Sequence, residues 1–459
     1  MTGLKWLKIK WDALLFCVCF FFLSMIIVFG YGFYTAKSNA PPYHTICETS
    51  NAVIKKYGLQ LAQLIYKEKH KKYPYLWYPA TETQSGVSIY KKKKTYNGYT
   101  FFSDCTSSAY LINMQGDIVH KWHKSFYDVW PEPAHVKPYV KPLPEDLIFW
   151  HKAHLFPNGD VIAIYEGAFS PYGAGIIKID KSSNLIWKNA VNAHHDLDIA
   201  KDGRIFVLTH KYNKKAKVDR IDDYITILSL DGDVLDNISL YDAIKESYYK
   251  YLIPAHPFGD YLHTNNIELL TKDKANGFDF LNAGDILLSH LGIGGITVLD
   301  GKTFKVKWAL TGLSEILHDA DFLNDGRLVF FNNLMSHQGR PVGSEIVEWD
   351  TAMRKVVWTF TSFDYLNGNF HNYFDNDIFS SMIYGSQQKL PNANYLVTES
   401  AGGTLFEITP EKEVVWKYVT TNSDGKSISS LHWAQRYAED ALSFLRGNGD
   451  LGKESGKII

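Results

Sequence analysis

The chain is built largely from short apolar runs that alternate with turn residues. Residues 151–187 give one clear example: HKAHLF, the turn PNG, then DVIAIYE, GIIKID and NLIWKN. Each run is rich in β-branched or aromatic residues and is bounded by Gly, Asn or Asp, which is typical of strands. The pattern therefore predicts four consecutive antiparallel strands in this segment.

The same four-strand unit recurs along the chain. Further copies begin at His195, His263, His318 and Gln388. A sixth copy is divided: Tyr99–His123 supplies three strands, and LHWAQRYAE at 431–439 supplies the missing innermost one. Radial repetition of four-stranded units is the signature of a β-propeller, and closing the circle with both chain ends removes an exposed edge. We predict an all-β, six-bladed β-propeller.

An apolar segment without charge precedes the repeats, at 13–36. It is long enough to cross a bilayer, and Lys5, Lys8 and Lys10 lie before it. The positive-inside rule then places the N-terminus in the cytoplasm and the anchored propeller on the other side of the membrane. A cleaved signal peptide is the alternative. A mature chain that starts near residue 40 would contradict the anchor.

These patterns predict four regions. They are a cytoplasmic tip and transmembrane anchor at 1–37, a helical neck and linker at 38–97, the propeller at 98–440 and a tail at 441–459. The neck prediction depends on a helix-like pattern at 47–72, and docking of an envelope protein partner there is left open.

The four cysteines fall into two pairs. Cys17 and Cys19 lie in the predicted anchor, whereas Cys47 and Cys105 lie outside it. An exported chain with two such cysteines is compatible with a Cys47–Cys105 disulfide that ties the neck to the closing blade. The net charge of −1 and the absence of a basic stripe give no indication of a nucleic-acid partner.

Polar residues recur at one position of the units. His151, His195 and His318 each stand six residues before the turn that follows the first strand, and His263 opens its own first strand. The fifth unit has Gly385 there, while the closing strand carries His432 and Arg436. Because the first strand of each blade is innermost, we expect these side chains to surround the central channel.

Two units share the phrase HDxD, which starts at His195 and at His318. Asp198 and Asp321 either hold turns of the blades or orient imidazoles by hydrogen bonding. A circle of histidines permits two chemistries. One is metal binding with carboxylate support. The other is nucleophilic and acid–base catalysis on an anionic substrate, with Arg340 holding the anion.

Several phrases together resemble the arylsulfotransferase (aryl-sulfate sulfotransferase) family. They are AYLINMQGDIVHKW, HHDLDIAKDGRIFVLTH, HDADFLNDGRLVFFNN, LPNANYLVTESAGGTLFEITPEKEVVWKY and WAQRY, over residues 98–440. The resemblance implies a six-bladed propeller in the bacterial periplasm. It also implies transfer of a sulfuryl group from an aryl sulfate to a phenol through a sulfohistidine, without a nucleotide donor.

The resemblance also suggests roles for residues. His195, His318 and Arg340 match the family's phrases and are candidate catalytic residues, whereas the nucleophile is left open among His263, His371 and His432. The candidate substrate-binding residues are His151, Asp198, Asp321, His432 and Arg436. In the favoured scheme a neutral histidine attacks sulfur, Arg340 holds the sulfuryl oxygens, and His195 backed by Asp198 handles the phenolic proton. The scheme needs no cofactor and no metal.

Two other functions fit the same pattern. The fifth unit reads YGSQQKLPNANYL, without a histidine, so a non-catalytic scaffold or accessory subunit of an envelope complex is the main alternative. A quinoprotein-type dehydrogenase is the third. The tryptophan near the last strand of each unit is interpreted as core packing.

Overall fold

The computed structural model describes most of the chain beyond residue 76. The described residues are 77–79, 85–136, 144–167, 173–213, 220–255, 257, 259–312, 316–333, 343–365, 379–381, 383–420 and 427–446. The chain divides into two compact units, 1–72 and 73–459, and all the described residues belong to the second.

The described residues form 28 strands. The first fourteen are β1 (Trp77–Pro79), β2 (Gly86–Tyr90), β3 (Tyr99–Asp104), β4 (Ser108–Ile112), β5 (Ile118–His123), β6 (Ile148–Leu155), β7 (Val161–Gly167), β8 (Gly173–Ile179), β9 (Leu185–Asn189), β10 (Ala193–Ile199), β11 (Ile205–Asn213), β12 (Arg220–Leu228), β13 (Val234–Ser239) and β14 (Gly259–Asp260). The others are β15 (Thr264–Leu269), β16 (Ile286–His290), β17 (Gly295–Leu299), β18 (Val306–Thr311), β19 (Leu317–Phe322), β20 (Arg327–Asn332), β21 (Glu345–Asp350), β22 (Lys355–Thr361), β23 (Ser386–Lys389), β24 (Tyr395–Glu399), β25 (Thr404–Ile408), β26 (Val414–Val419), β27 (Ser427–Ser429) and β28 (Leu431–Tyr437).

Helices in the same residues are short and lie in the connections. They are α1 (Phe126–Val129), α2 (Leu240–Lys245), α3 (Lys272–Ala275) and α4 (Ser362–Tyr365), with 3₁₀ turns at Glu145–Leu147, Lys250–Leu252 and Ser443–Leu445.

The strands form six antiparallel blades, which confirms the predicted propeller. Blades 1 to 4 are β6–β9, β10–β13, β15–β18 and β19–β22, in sheet order. Blade 5 is β23–β26, and blade 6 has the order β28-β3-β4-β5. The C-terminal strand β28 thus pairs with the N-terminal strand β3, from Leu431 opposite Asp104 to Tyr437 opposite Tyr99. This closure joins the two chain ends, as the divided sixth repeat predicts.

Two further strands lie in the segment that the sequence analysis assigns to the linker. β2 pairs with the outer strand β26 of blade 5, and β1 pairs with β27. The loop after blade 2 contributes β14, which pairs in parallel with β12. The sheet structure of the second unit therefore begins before residue 98.

Apolar side chains fill the interfaces between neighbouring blades. Strand β7 is buried along its whole length, because each inner strand has a blade on either side. Between blades 1 and 2, for example, Ile164 and Ile176 pack with Val207 and Leu228. The outer strand β9, by contrast, is mostly exposed. The apolar runs of the sequence thus mark the inner strands.

The recurring tryptophans also join blades through hydrogen bonds. The indole N–H groups of Trp122, Trp187, Trp358 and Trp416 donate to carbonyl oxygens of Gly159, Leu230, Pro410 and Met114, at 2.9–3.0 Å. Each acceptor lies in or beside a turn of the next blade. Interpreting these residues as core packing alone is therefore incomplete, since each indole also fixes the spacing between two blades.

Several predictions concern residues outside the described part of the chain. The anchor at 13–36, the neck at 47–72, Cys47 and most of the tail are among them. Cys105 is buried, and its Sγ lies 3.0 Å from Ser429 Oγ. The anchor and the Cys47–Cys105 bond stay predictions. Within the described ranges, no helix is long and apolar enough to cross a membrane.

His290 makes stability depend on pH. Its ring is fully buried between the hydroxyls of Thr264 and Thr297, and burial lowers its pKa from 6.5 to about 3. The unfolded chain therefore binds one more proton below pH 6.5, so stability is lost as the pH falls. Between pH 7 and 5 we expect His290 to cost about 2 kcal/mol of unfolding free energy. Urea unfolding at both pH values would measure this, and a His290→Gln chain with the same loss would contradict it.

Candidate functional site

Irregular backbone marks the innermost strands where the polar residues lie. The register with the second strand shifts between Trp150 and Ala153, Ala193 and Leu197, Thr264 and Asn266, His318 and Asp321, and Leu431 and Trp433. His151, His195 and His432 fall inside these interruptions, and His318 falls at the edge of one. A bulge bends a strand and changes the direction of its side chains, and bulges are common beside active sites.

Four residues of this region have positive φ angles although they are not glycine. They are His195 (53°), His263 (46°), Asp319 (46°) and Tyr384 (57°), each on or just before the innermost strand of its blade. This conformation costs free energy for a residue with a Cβ, and it tends to occur where a functional arrangement requires it. Because the same conformation recurs in blades 2 to 5, it is a shared feature of the innermost strands and not four unrelated irregularities.

The bulges surround a cavity whose empty space, with its solvent-filled opening included, is about 300 Å³. It is lined by His151, Lys152, His195, Asp196, Asn265, His318, Asp319, Tyr384, Gly385, Ser386, His432 and Trp433. Four of the predicted site residues, His151, His195, His318 and His432, are therefore brought together; we call them the histidine cluster. Ring centroids of His151 lie 4.8 Å from His195 and 5.3 Å from His432.

Tyr384 completes the wall of the cavity in blade 5, where the repeat has no histidine. Its ring centroid lies 4.8 Å from that of His151 and 4.7 Å from that of His432. The sequence analysis aligned Gly385 with the histidines and missed the tyrosine one residue earlier. Gly385 itself has φ +106°, and a Cβ there would meet the ring of Phe331 at 2.6 Å. This blade therefore needs glycine at 385, and the aromatic side chain comes from 384.

His318 has a defined tautomer. The Asn333 side-chain amide donates to the carbonyl oxygens of Ser381 and Tyr384, at 2.8 and 2.7 Å, so its Oδ1 must be the atom that faces His318. That oxygen lies 2.7 Å from His318 Nδ1, which therefore donates. Burial lowers the pKa of His318 to about 3. The neutral ring consequently keeps the lone pair on Nε2.

His151 and His195 share one buried carboxylate. Glu166 on β7 places Oε2 2.8 Å from His151 Nδ1 and Oε1 3.3 Å from His195 Nδ1, and Oε1 also accepts from the His195 backbone N–H. Burial raises the Glu166 pKa, but His151 beside it has the larger combined effect and the pKa is held below its usual value. Burial, followed by the neighbouring histidines, lowers the pKa of His195 well below 6.5.

His263 lies behind His195, with ring centroids 4.9 Å apart, and is not among the residues that line the cavity. Its Nδ1 lies 2.7 Å from Asp260 Oδ2. Burial opposes its protonation, but the hydrogen bond to Asp260 and the charges of nearby carboxylates together outweigh burial and raise the His263 pKa. Its environment thus favours a cation, unlike that of His195.

His432 differs from the other members of the cluster. Its ring is 2% exposed, and within the described residues neither ring nitrogen has a hydrogen-bond partner. The ring stacks on Phe149, with centroids 4.3 Å apart and planes 22° apart. Burial, with a contribution from His151, lowers its pKa well below 6.5. His432 is therefore a neutral imidazole with a fixed plane beside the cavity.

One cation reaches the same cavity. Lys152 Nζ lies 2.8 Å from Asp196 Oδ1 and 4.2 Å from the centroid of the Trp433 ring. Burial would lower the Lys152 pKa, but Asp196 and other nearby carboxylates raise it, so the ammonium group is retained. Lys152 directly follows His151 in the sequence, and this adjacency was the signal that could have identified it.

The HDxD carboxylates join blades rather than orient imidazoles. Asp198 accepts from the backbone N–H groups of Ile199 and Leu269, and Asp321 accepts from the Gln387 side chain. Neither lines the cavity. The expectation that Asp198 supports His195 is therefore wrong. The reason is register: Asp198 and Asp321 lie where regular pairing with the second strand has resumed, and there they contact the next blade. Glu166, Asp260 and Asn333 contact the imidazoles instead.

Arg436 also lies away from the cavity. Its guanidinium bonds to Glu407, Thr100 and the Tyr96 carbonyl, between blades 5 and 6. The prediction that it binds substrate is not supported, since its position is structural. Arg340 and His371 lie outside the described residues, so their predicted roles stay predictions.

Comparison with known proteins gives one family. The arylsulfotransferase (ASST) family matches residues 152–421, more than half of the chain. No curated protein sequence matches it significantly.

Many solved structures match this chain, and three of them show the degree of likeness. One is a protein of unknown function from Bacteroides caccae, with TM-score 0.44, 13% identity, and 70% of this chain and 94% of that chain covered. Another is the Dos1 propeller, with TM-score 0.39, 11% identity, and 74% and 78% covered. A streptogramin B lyase has TM-score 0.39, 12% identity, and 79% and 97% covered. At these values the likenesses carry no information about function.

Proposed function

Because this chain belongs to the arylsulfotransferase family, we propose that it transfers a sulfuryl group from an aryl sulfate to a phenol, with His432 as the nucleophile. The observation that carries the choice of His432 is its buried ring beside the cavity, whose two nitrogens have no hydrogen-bond partner among the described residues. A nucleophile needs a free lone pair. A low pKa keeps the ring neutral at physiological pH.

The surroundings of His432 suit an anionic substrate. The ammonium group of Lys152 is the cation among the described lining residues, and Asn265 and Ser386 add neutral polar groups. Donors that are already in place stabilise charge that develops on sulfuryl oxygens without reorganisation cost. The aromatic faces of Tyr384 and Trp433 offer apolar contact for an aryl ring.

The proposed reaction has two displacements. In the first, the lone pair of a His432 nitrogen forms a bond to sulfur, and the sulfur–oxygen bond to the aryl group breaks with its electrons leaving on the phenolate. In the second, the acceptor phenol oxygen attacks sulfur and the nitrogen–sulfur bond breaks. The acceptor proton passes to His318 Nε2, whose lone pair the Asn333 contact leaves available. A bound sulfate ester favours that protonation, since a nearby negative charge raises an imidazole pKa.

The proposal is tested with the full-length protein, an aryl sulfate donor and a phenol acceptor. We expect acceptor-stimulated release of the donor phenol. With donor alone, mass spectrometry at alkaline pH should find one sulfuryl group on the His432 peptide. An adduct on another histidine would keep the transferase and discard His432. A folded protein with neither turnover nor adduct on several donors would favour the non-catalytic scaffold.

A further inference from the structure

We propose that His151, Glu166 and His195 form a binding site for a divalent transition-metal ion of the Zn²⁺ class. One ligand atom from each residue lies within 4.8 Å of the other two, and all three side chains are buried. The proposal concerns residues other than the proposed nucleophile His432, although the His151 ring lies 5.3 Å from that of His432. It does not depend on the sulfuryl-transfer reaction.

The distances fit a small ion. Oxygens of Glu166 lie 2.8 and 3.3 Å from the Nδ1 atoms of His151 and His195. Tetrahedral Zn²⁺, with bonds of about 2.0–2.1 Å to nitrogen and oxygen, places its ligand atoms about 3.3–3.4 Å apart. The two distances involve different oxygens of Glu166, and the three ligand atoms spread over as much as 4.8 Å, so the side chains would draw together on coordination. Two imidazoles and one carboxylate form a donor set that Zn²⁺ and Fe²⁺ use in proteins.

The charge of Glu166 supports a cation. Glu166 is 1% exposed, and within the described part of the chain its ionic contacts are with the two imidazoles and not with lysine or arginine. A buried carboxylate is costly unless it is paired or coordinates a metal. A divalent ion would satisfy the carboxylate and both imidazoles together.

The backbone holds the three ligands on rigid elements. His151 and Glu166 lie on the adjacent strands β6 and β7, and His195 lies on β10 of the next blade. The positive φ of His195 turns its backbone N–H toward Glu166 as well.

Such an ion would contact small molecules that bind in the same cavity. His151 and His195 both line it, so an anionic oxygen ligand, such as a sulfate ester or a phenolate, would lie beside the ion. The ion would bind the charged oxygen, and the rings of Tyr384 and Trp433 in the same cavity would contact an aromatic substituent. The ligand class is therefore an oxyanion with an aromatic substituent.

The test measures metal, not turnover. Full-length protein is treated with a chelator, dialysed and titrated with Zn²⁺ and with Co²⁺, and metal content is determined by mass spectrometry. We expect about one ion per chain, and visible Co²⁺ absorption typical of four-coordination. Glu166→Gln and His195→Gln should each weaken binding by at least about 100-fold. Thermal unfolding without metal checks that the variants fold.

Two matched controls lie outside the three ligands. His154→Gln alters a histidine of the same strand β6, and Glu345→Gln alters a half-buried carboxylate that bonds to Asn332. Both should keep the metal affinity of the parent. Failure of the chelated parent to take up Zn²⁺ or Co²⁺ would overturn the proposal, as would parent-like affinity in Glu166→Gln. Sulfuryl transfer without metal binding would contradict this proposal and leave the proposed function standing. Metal binding without transfer would do the reverse.

Discussion

Replacing His432 with alanine is expected to abolish sulfuryl transfer, with turnover lower by about 10⁴-fold or more, the scale seen when a covalent nucleophile is removed. The reason is that no other described residue of the histidine cluster combines burial, a neutral ring and two unpartnered nitrogens. The measurement is phenol release from an aryl sulfate at saturating acceptor. The covalent adduct should also be absent.

Controls separate this chemistry from packing. His432 stacks on Phe149, so His432→Phe is a second variant that keeps an aromatic ring and removes the nucleophile. His154→Gln, on β6 but not in the cavity lining, should retain parent activity. Activity that survives in folded His432→Ala and His432→Phe would discard His432 as the nucleophile. If His432→Ala loses both activity and folding, the activity of folded His432→Phe becomes the test of the nucleophile.

The largest expected effect on stability follows from breaking the ion pair that joins blades 5 and 6. Arg436 Nη1 lies 3.2 Å from Glu407 Oε2, and both side chains are fully buried. Burial lowers the Arg436 pKa to about 10, so the guanidinium stays charged at neutral pH. Glu407→Ala leaves that charge without its partner, which typically costs about 3–5 kcal/mol. Chemical denaturation midpoints with unchanged slopes would measure the loss.

A matched pair of variants identifies the cause. Glu407→Gln keeps the oxygen that accepts from the Tyr96 N–H and from Asn394, but it replaces the charged oxygen that accepts from Arg436 with an amide NH2 group. The double variant Arg436→Met with Glu407→Leu removes both charges, and it should recover much of the stability lost by Glu407→Ala. A loss of less than about 1 kcal/mol in Glu407→Ala, the range of exposed pairs, would contradict the importance of this contact.

The blade pattern could be predicted because its causes are local. Strands such as Val161–Gly167 are marked by apolar runs between turn residues, and the divided sixth repeat follows from the match between 431–439 and the other first strands. Part of the site could be predicted for the same reason. His151, His195, His318 and His432 recur at one register position, and the channel brings equivalent positions of a propeller together.

The partners of those histidines could not be predicted. Glu166 faces His195 from a neighbouring blade, and Asn333 faces His318 from the adjoining strand. No periodicity marks either residue. The bulges determine the directions of the other side chains on the innermost strands. A shift of one residue changes which side chains enter the channel and which face the next blade. Asp198 illustrates this, since its place beside His195 in the sequence suggested a contact that the register prevents.

The amino-acid sequence by itself therefore determined the number of blades, the closure of the circle and the identity of the histidines at the channel. Those features depend on hydrophobic periodicity and repetition, which are local properties of the chain. Only the tertiary structure decided which histidine has no hydrogen-bond partner among the described residues, which two share a carboxylate, and that Arg436 bonds between blades 5 and 6. These depend on contacts between residues distant in the sequence, and on backbone irregularities where steric fit between blades outweighs local preference.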